Sequence, residues 1–160
     1  MKRSTKTQVV GLAALLAALV AVGAAAASTS QAAGPRSVSA IRTATLTARA
    51  SRYGKILFDG RGRALYLFAR DRGGRSSCSG ACAQAWPPLR TKGAPKGLPG
   101  VNAKLLGTTR RSDGTRQVTY AKHPLYYFKG DTKPGQIKCQ NVSNFGGLWL
   151  VVAPNGDPVR

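Results

Sequence analysis

A seven-residue pattern, Leu-Tyr-x-Phe-x-x-Asp, occurs twice in this chain, as LYLFARD at residues 65–71 and LYYFKGD at 125–131. The copies begin sixty residues apart, and their surroundings repeat with them. GKILFDGRGRALYLFARD reads as two β-rich runs, 55–58 and 64–68, around an Asp-Gly hairpin signal. DGTRQVTYAKHPLYYFKGD repeats that design, with runs 117–120 and 125–128 around AKHP. A further short run precedes each pair, ATLTA at 44–48 and KLLGTT at 104–109, and Ser51 and Ser112 keep nearly the same offset. Each copy therefore predicts a three-stranded antiparallel meander.

Each heptad is followed by a Gly-rich loop, a cysteine and a tryptophan: RGGRSSCSGACAQAWPPL in the first copy, TKPGQIKCQNVSNFGGLWLVV in the second. LWLVV reads as a buried strand. WPPL cannot be a central strand, because Pro87 and Pro88 bring no N–H to a ladder. SGACAQAW has room for one or two helical turns, stopped by those prolines. In a strand, Tyr66 and Phe68 point one way and Leu65 and Leu67 the other, and Tyr126/Phe128 and Leu125/Tyr127 repeat this. Both faces are apolar, so each heptad predicts a central strand covered on both sides. Asp71 and Asp131 fall where the strand must end and suit a turn cap. The fold expected is all-β: two tandem pseudo-repeats, each a meander plus a Cys/Trp loop-and-strand segment, packed into one sandwich- or barrel-like domain behind an N-terminal signal helix.

The N-terminus reads as an export signal. Lys2, Arg3 and Lys6 precede an uncharged apolar run at 9–27, and Ala25 and Ala27 offer an A-x-A cleavage site. An uncleaved membrane anchor is the alternative, since the run could span a bilayer. The organisation expected is a signal peptide at 1–27, a Ser/Ala/Gly/Pro-rich linker at 28–43 and one duplicated domain at 44–160. Repeat one covers about 44–93 and repeat two about 104–156. The protein is expected to be secreted or held at the cell surface.

Charge is the most extreme compositional property: 25 Lys and Arg against five acids, a net +20. Such a surface meets anions outside the cell, which points to anionic cell-wall polymers or the membrane surface as partners. With neither a basic helix nor a basic-aromatic signature, specific nucleic-acid recognition is not expected, and nothing in the sequence identifies a protein partner. All five acids are Asp, and each stands beside a turn: Asp59, Asp71, Asp113, Asp131 and Asp157. No facing pair of carboxylates for glycoside hydrolysis is evident, although Asp71 and Asp131 could meet across a repeat axis. The single histidine, His123, lies in a turn, where a structural use outweighs a Ser-His-Asp role. No catalytic residue, metal or cofactor is expected.

These motifs carry a resemblance. The chain resembles the secreted-repeat family of bacterial envelope proteins and lipoproteins marked by a Y-x-[FWY]-x-x-D motif, seen here as Tyr66-Leu-Phe68-Ala-Arg-Asp71 and Tyr126-Tyr-Phe128-Lys-Gly-Asp131. The family's C-x-G-x-C-A-x-x-W-P-P-L segment matches residues 78–89, and its HPLY…F…GD…PG…F-G-G-x-W segment runs from His123 through Trp149. The resemblance implies a duplicated, secreted, mostly β module of no established activity, often lipid-anchored. No cysteine follows the apolar run here, which departs from lipid anchoring.

In an oxidising compartment Cys78 and Cys82 most simply pair with each other; across one helical step their Cα atoms would be about 6 Å apart. Cys78–Cys139 is the second connectivity, since the two occupy equivalent places in the repeats. A Cys₃His zinc site with His123 has the ligands but the spacing of no familiar module. The function expected is a non-catalytic envelope module whose loops present Arg70, Arg72, Arg75, Lys129, Lys133 and Lys138 to anionic polymers. Tyr66, Phe68, Asp71, Tyr126, Phe128, Asp131, Trp86 and Trp149 serve structure in this reading. The alternative is an extracytoplasmic redox or cofactor-binding protein that uses the Cys78/Cys82 loop.

Overall fold

The computed structural model describes residues 42–160, which belong to one compact unit. The predicted signal peptide and nearly all of the predicted linker lie outside the described residues. Among the described residues the chain is mostly strand: β1 (Thr45–Ser51), β2 (Gly54–Asp59), β3 (Tyr66–Phe68), β4 (Lys96–Gly97), β5 (Leu106–Arg110), β6 (Arg116–Tyr120), β7 (His123–Pro124), β8 (Val142–Asn144) and β9 (Gly147–Val151). One helical turn and a half, α1 (Ala81–Ala85), and a 3₁₀ turn at Ala103–Leu105 complete it. The strands form three small sheets, ordered β2-β1-β4, β3-β9-β8 and β5-β6-β7.

Two hairpins open the two repeats. β1 pairs with β2 from Leu46 opposite Asp59 to Ser51 opposite Gly54. β5 pairs with β6 from Leu106 opposite Tyr120 to Arg110 opposite Arg116. The Asx chemistry expected of the turn aspartates is present at Asp59, whose Oδ1 accepts from the Arg61 and Arg63 N–H groups, and at Asp113, whose Oδ1 accepts from Thr115 N–H. β6 turns into β7 through Ala121 and Lys122, both at positive φ (48° and 66°), the geometry of a two-residue primed turn.

At the centre the two heptads pair with each other. Tyr66 N–H donates to Tyr126 C=O and Tyr126 N–H to Tyr66 C=O, both at 2.9 Å. A pseudo-twofold axis passes between these residues, and equivalent bonds lie on either side of it. Leu65 N–H reaches Leu57 C=O at 3.1 Å, and Leu125 N–H reaches Val118 C=O at 3.0 Å.

The tryptophan segments cross that axis. The sequence places each of them after its own meander, but they are exchanged. β9, from repeat two, lies antiparallel to β3 of repeat one, with Trp149 opposite Phe68 and Val151 opposite Tyr66. The segment 87–89, from repeat one, lies against the heptad of repeat two: Leu89 N–H donates to Leu125 C=O (2.9 Å) and Tyr127 N–H to Pro87 C=O (2.8 Å). The exchange continues outward, where Leu57 N–H meets Val152 C=O (2.9 Å) and Val118 N–H meets Leu89 C=O (2.8 Å).

The run 125–128 does not form the continuous strand predicted for it; only Tyr126 makes isolated bridges, to Tyr66 and Pro88. Its outer neighbour is Pro87-Pro88, whose ring nitrogens carry no N–H, so the ladder there is one-sided. In repeat one the equivalent neighbour is the donor-complete β9, and β3 is a true if short strand, narrower than the predicted 64–68.

The heptads' two apolar faces make two cores, as their alternation requires. One gathers Tyr66, Phe68, Trp86, Tyr126 and Trp149 with Ile56, Phe58, Cys78, Cys82 and Ile137. The other gathers Leu65, Leu67, Leu125 and Leu150 with Leu46, Leu57, Val118 and Tyr120. Because each heptad takes its outer partner from the other repeat, neither repeat can complete the pairing of its own heptad by itself. A chain ending near residue 98 is therefore expected to stay unfolded, without near-ultraviolet circular dichroism, while the full domain unfolds in a single transition. An independently folded half would contradict the exchange.

Candidate functional site

The side chains of the motif follow the same crossing. Tyr66 O–H donates to Asp131 Oδ2 at 2.6 Å, and Tyr126 O–H donates to Asp71 Oδ2 at 2.7 Å. Each heptad's tyrosine thus holds the aspartate of the other heptad. Asp71 and Asp131 are engaged by different tyrosines and different loops, and they do not cap their own turns in the short Asx manner expected. The second oxygen of each closes a longer loop: Asp71 Oδ1 accepts from Ser77 N–H (2.7 Å) and Oγ (2.8 Å), and Asp131 Oδ1 accepts from Lys138 N–H (3.0 Å). Asp131 is buried, whereas Asp71 is partly exposed.

Burial, and then the adjacent carboxylate, push both phenols above their ordinary value of 10.0. Tyr127 is raised in the same way, first by burial and then by the charge of Asp59, to which its hydroxyl donates at 3.0 Å.

Beneath the tyrosines lies a stack of four rings in the order Phe68, Trp149, Trp86, Phe128. The indoles are parallel (3.9 Å, 4°); Phe68 stacks on Trp149 (4.2 Å, 11°) and Phe128 tilts against Trp86 (4.7 Å, 41°). Tyr66 meets Trp86 edge-on at 5.3 Å, and Tyr126 meets Trp149 edge-on at 5.2 Å. The tyrosines, the two indoles, Phe68 and Asp131 are buried in this scaffold, with Phe128 and Asp71 at its partly exposed edge.

Cys78 and Cys82 are joined as a disulfide with Cα atoms 5.3 Å apart, which excludes the Cys78–Cys139 pairing and removes both from any zinc site. The two cysteines sit in the core, not in an exposed loop, and α1 runs from the bridge to Trp86. Cys139 is a free thiol packed against the aromatic core, and burial, then the charge of Asp131, raise its pKa. His123 is half-buried at the end of the β6–β7 turn, paired with Tyr120.

The six cations expected to serve binding, Arg70, Arg72, Arg75, Lys129, Lys133 and Lys138, are all exposed. They stand on or beside the two loops that the aspartates' second oxygens close, 71–78 and 131–139. Arg70 Nη1 donates to Phe145 C=O (3.1 Å), and Arg72 Nη1 donates to the carbonyls of Ala69 and Asp71. Among the described residues the ion pairs are Arg63–Asp59 and Arg90–Asp113.

Sequence reading missed Arg111, a buried arginine inside the run RRSDGT. Its Nη1 donates to Gln117 Oε1 (2.6 Å) and Ser76 Oγ (2.8 Å), and its Nη2 to Cys78 C=O (2.6 Å). Through Ser76 the guanidinium joins the network of Tyr126 and Asp71. The signal available in the sequence was the mismatch between the copies, where ARAS at 48–51 stands against TTRR at 108–111.

The geometry defines a class: a duplicated, strand-exchanged β module whose two repeats are bolted together by their shared motif, with basic loops outside. Residues 47–90 and 107–153 match, as two tandem copies, the family described as a secreted repeat of unknown function, and the chain belongs to that family. The family's description places it outside the cytoplasm. No curated protein and no solved structure matches the chain.

Replacing Tyr66 by Phe leaves the buried Asp131 short of a donor and is expected to cost about 1–3 kcal/mol in urea unfolding. Tyr126→Phe should cost less, because water can reach Asp71. Since both phenols hold their protons more tightly folded than unfolded, their contribution is complete below pH 10.0 and is lost as pH climbs above it toward the raised folded values. Phenolate absorbance from these two residues should rise together with unfolding; ionisation near the ordinary value in a still-folded protein would contradict the assignment.

Proposed function

We propose that this protein is a non-catalytic, extracytoplasmic binding module that attaches to anionic polymers of the cell envelope through its basic loops. The crossed heptads form a rigid, sandwich-like support between two apolar layers, and the signal at 1–27 exports the chain by cleavage near Ala27.

One observation carries the reading. Of the chain's five carboxylates, Asp71 and Asp131 are taken up by tyrosines and backbone or serine groups, and Asp157 by Asn155. Among the described residues only Asp59 and Asp113 pair with cations. The loop cations Arg70, Arg72, Arg75, Lys129, Lys133 and Lys138 thus face solvent with no carboxylate partner, and their field is left for an external anion. The same use of the aspartates supports the non-catalytic reading.

Sedimentation of the purified protein with cell-wall material over a salt series tests this. Attachment should be strong at low ionic strength and fall steadily as salt screens it. Changing Lys129, Lys133 and Lys138 together to Glu should release most of the protein at low salt. Absence of binding at low salt, or retention indifferent to both salt and charge reversal, would remove the proposal.

A further inference from the structure

The pseudo-twofold axis makes the two repeats each other's control, and they differ sharply at one place. The hairpin registers align Ser51, opposite Gly54, with Arg111, whose N–H bonds Thr115 C=O. The aspartate loops align Ile137 with Ser76 and Cys139 with Cys78, since Lys138 N–H and Ser77 N–H make the equivalent bonds. The β2 and β6 registers align Ile56 with Gln117.

In one half the space between hairpin and loop is filled by the Arg111 side chain, received by Ser76, Gln117 and the Cys78 carbonyl. In the other half the arginine is a serine, and the two side chains that would receive it are Ile137 and Ile56. The space there is an open groove of ≈ 540 Å³ lined by Ala50, Ser51, Arg52, Phe58, Gly135, Gln136, Ile137 and Lys138. Its volume is that of a small-molecule site.

The lining is divided. Phe58 and Ile137 are recessed, at 3% and 7% exposure, and give an apolar floor. Arg52 and Lys138 stand exposed at the rim. Arg52 Nη2 is tied to Ile137 C=O at 2.7 Å, which fixes the guanidinium between turn and loop without neutralising it. No carboxylate lines the groove.

We infer that this groove binds a small amphiphilic organic anion, with an alkyl chain or ring on Phe58 and Ile137 and a phosphate or carboxylate between Arg52 and Lys138. Charge complementarity selects the anionic head. The recessed floor selects a single inserted chain over a flat bilayer. The groove shares Lys138 with the loops proposed to bind envelope polymers but has its own apolar floor, and it stands or falls without that attachment.

Calorimetric titration with octyl phosphate below its micellar concentration should give saturable one-to-one binding. Inorganic phosphate, which lacks the apolar part, should bind about tenfold more weakly or worse. Ala50→Trp, which fills the groove from its wall without removing a hydrogen bond, should weaken octyl phosphate about tenfold or more, with near-ultraviolet circular dichroism confirming the fold. Lys138→Ala, at an exposed position, should weaken it several-fold, and Lys92→Ala, exposed and outside both the groove and the basic loops, should leave it unchanged.

No saturable binding, equal affinity for inorganic phosphate, or wild-type affinity in both Ala50→Trp and Lys138→Ala would overturn the site. A preference for anionic vesicles over monomeric octyl phosphate would overturn it too, in favour of a membrane surface. Wall sedimentation of the same variants separates the two proposals. A groove-filled protein that still sediments leaves polymer attachment intact, and a protein that binds octyl phosphate but not wall leaves only the groove.

Discussion

Everything in this domain hangs on the crossed pair of bonds between each heptad's tyrosine and the other heptad's aspartate. A carboxylate as buried as Asp131 is tolerable only if its oxygens are fully used. Here one oxygen takes a phenol from across the axis and the other takes a backbone N–H seven residues further along its own chain. A single carboxylate therefore joins the two repeats and also closes the loop at 131–138. The phenol is a suitable partner because burial keeps it protonated, so it brings a donor without bringing a second charge. A lysine or arginine in its place would have to be desolvated as well.

The strand exchange follows from the same axis. With Tyr66 and Tyr126 paired back to back, each heptad has one free edge, and the segment that meets it comes from the other repeat. The two edges are closed by different means. Trp149 arrives on a regular hairpin, β8–β9, whose turn carries Phe145 and Gly146 at positive φ. Trp86 precedes two prolines and cannot be held by a ladder, so it is delivered by α1 and the Cys78–Cys82 bridge. A bridge spanning so few residues does little to the entropy of the unfolded chain. Its effect is local, holding the turn that the prolines leave without hydrogen-bond support. The repeat with the ordinary hairpin has a free thiol, Cys139, in the equivalent place.

Much of this was legible in the sequence. The alternation of Tyr66 and Phe68 against Leu65 and Leu67 marked a strand buried on both faces, and the Asp-Gly and AKHP turns marked the hairpins that flank it. The pairing of Cys78 with Cys82 followed from spacing and compartment. What could not be read was anything across the axis. Periodicity reports which way a side chain points, not what it meets, so a motif ending in Asp beside a turn looked like a local cap when its partner stood in the other copy. The predicted strand at 125–128 failed for a related reason: its ladder depends on residues 87–89, whose prolines were noticed but not known to be its neighbours. The six loop cations, by contrast, were visible at once, because exposed charge needs no partner to be recognised.

A duplicated domain gives a way to separate scaffold from site within one chain. Positions that obey the pseudo-twofold axis, such as the crossed tyrosines and aspartates, the paired indoles and the leucines behind them, are those that the shared fold requires. Positions that break it are free of that requirement. Arg111 is such a break, and both of its terminal nitrogens are received, by the hydroxyl of Ser76, the amide of Gln117 and a backbone carbonyl, while its buried Nε has no partner among the described residues. In the opposite half the arginine and both of its side-chain acceptors are replaced together, by Ser51, Ile137 and Ile56, while the rim keeps Arg52 and Lys138. A space that loses its internal cation, turns its walls apolar and leaves cations at its mouth has the polarity of a receptor for an anion with an apolar body. The asymmetry between the repeats, more than the motif they share, is where binding specificity can reside.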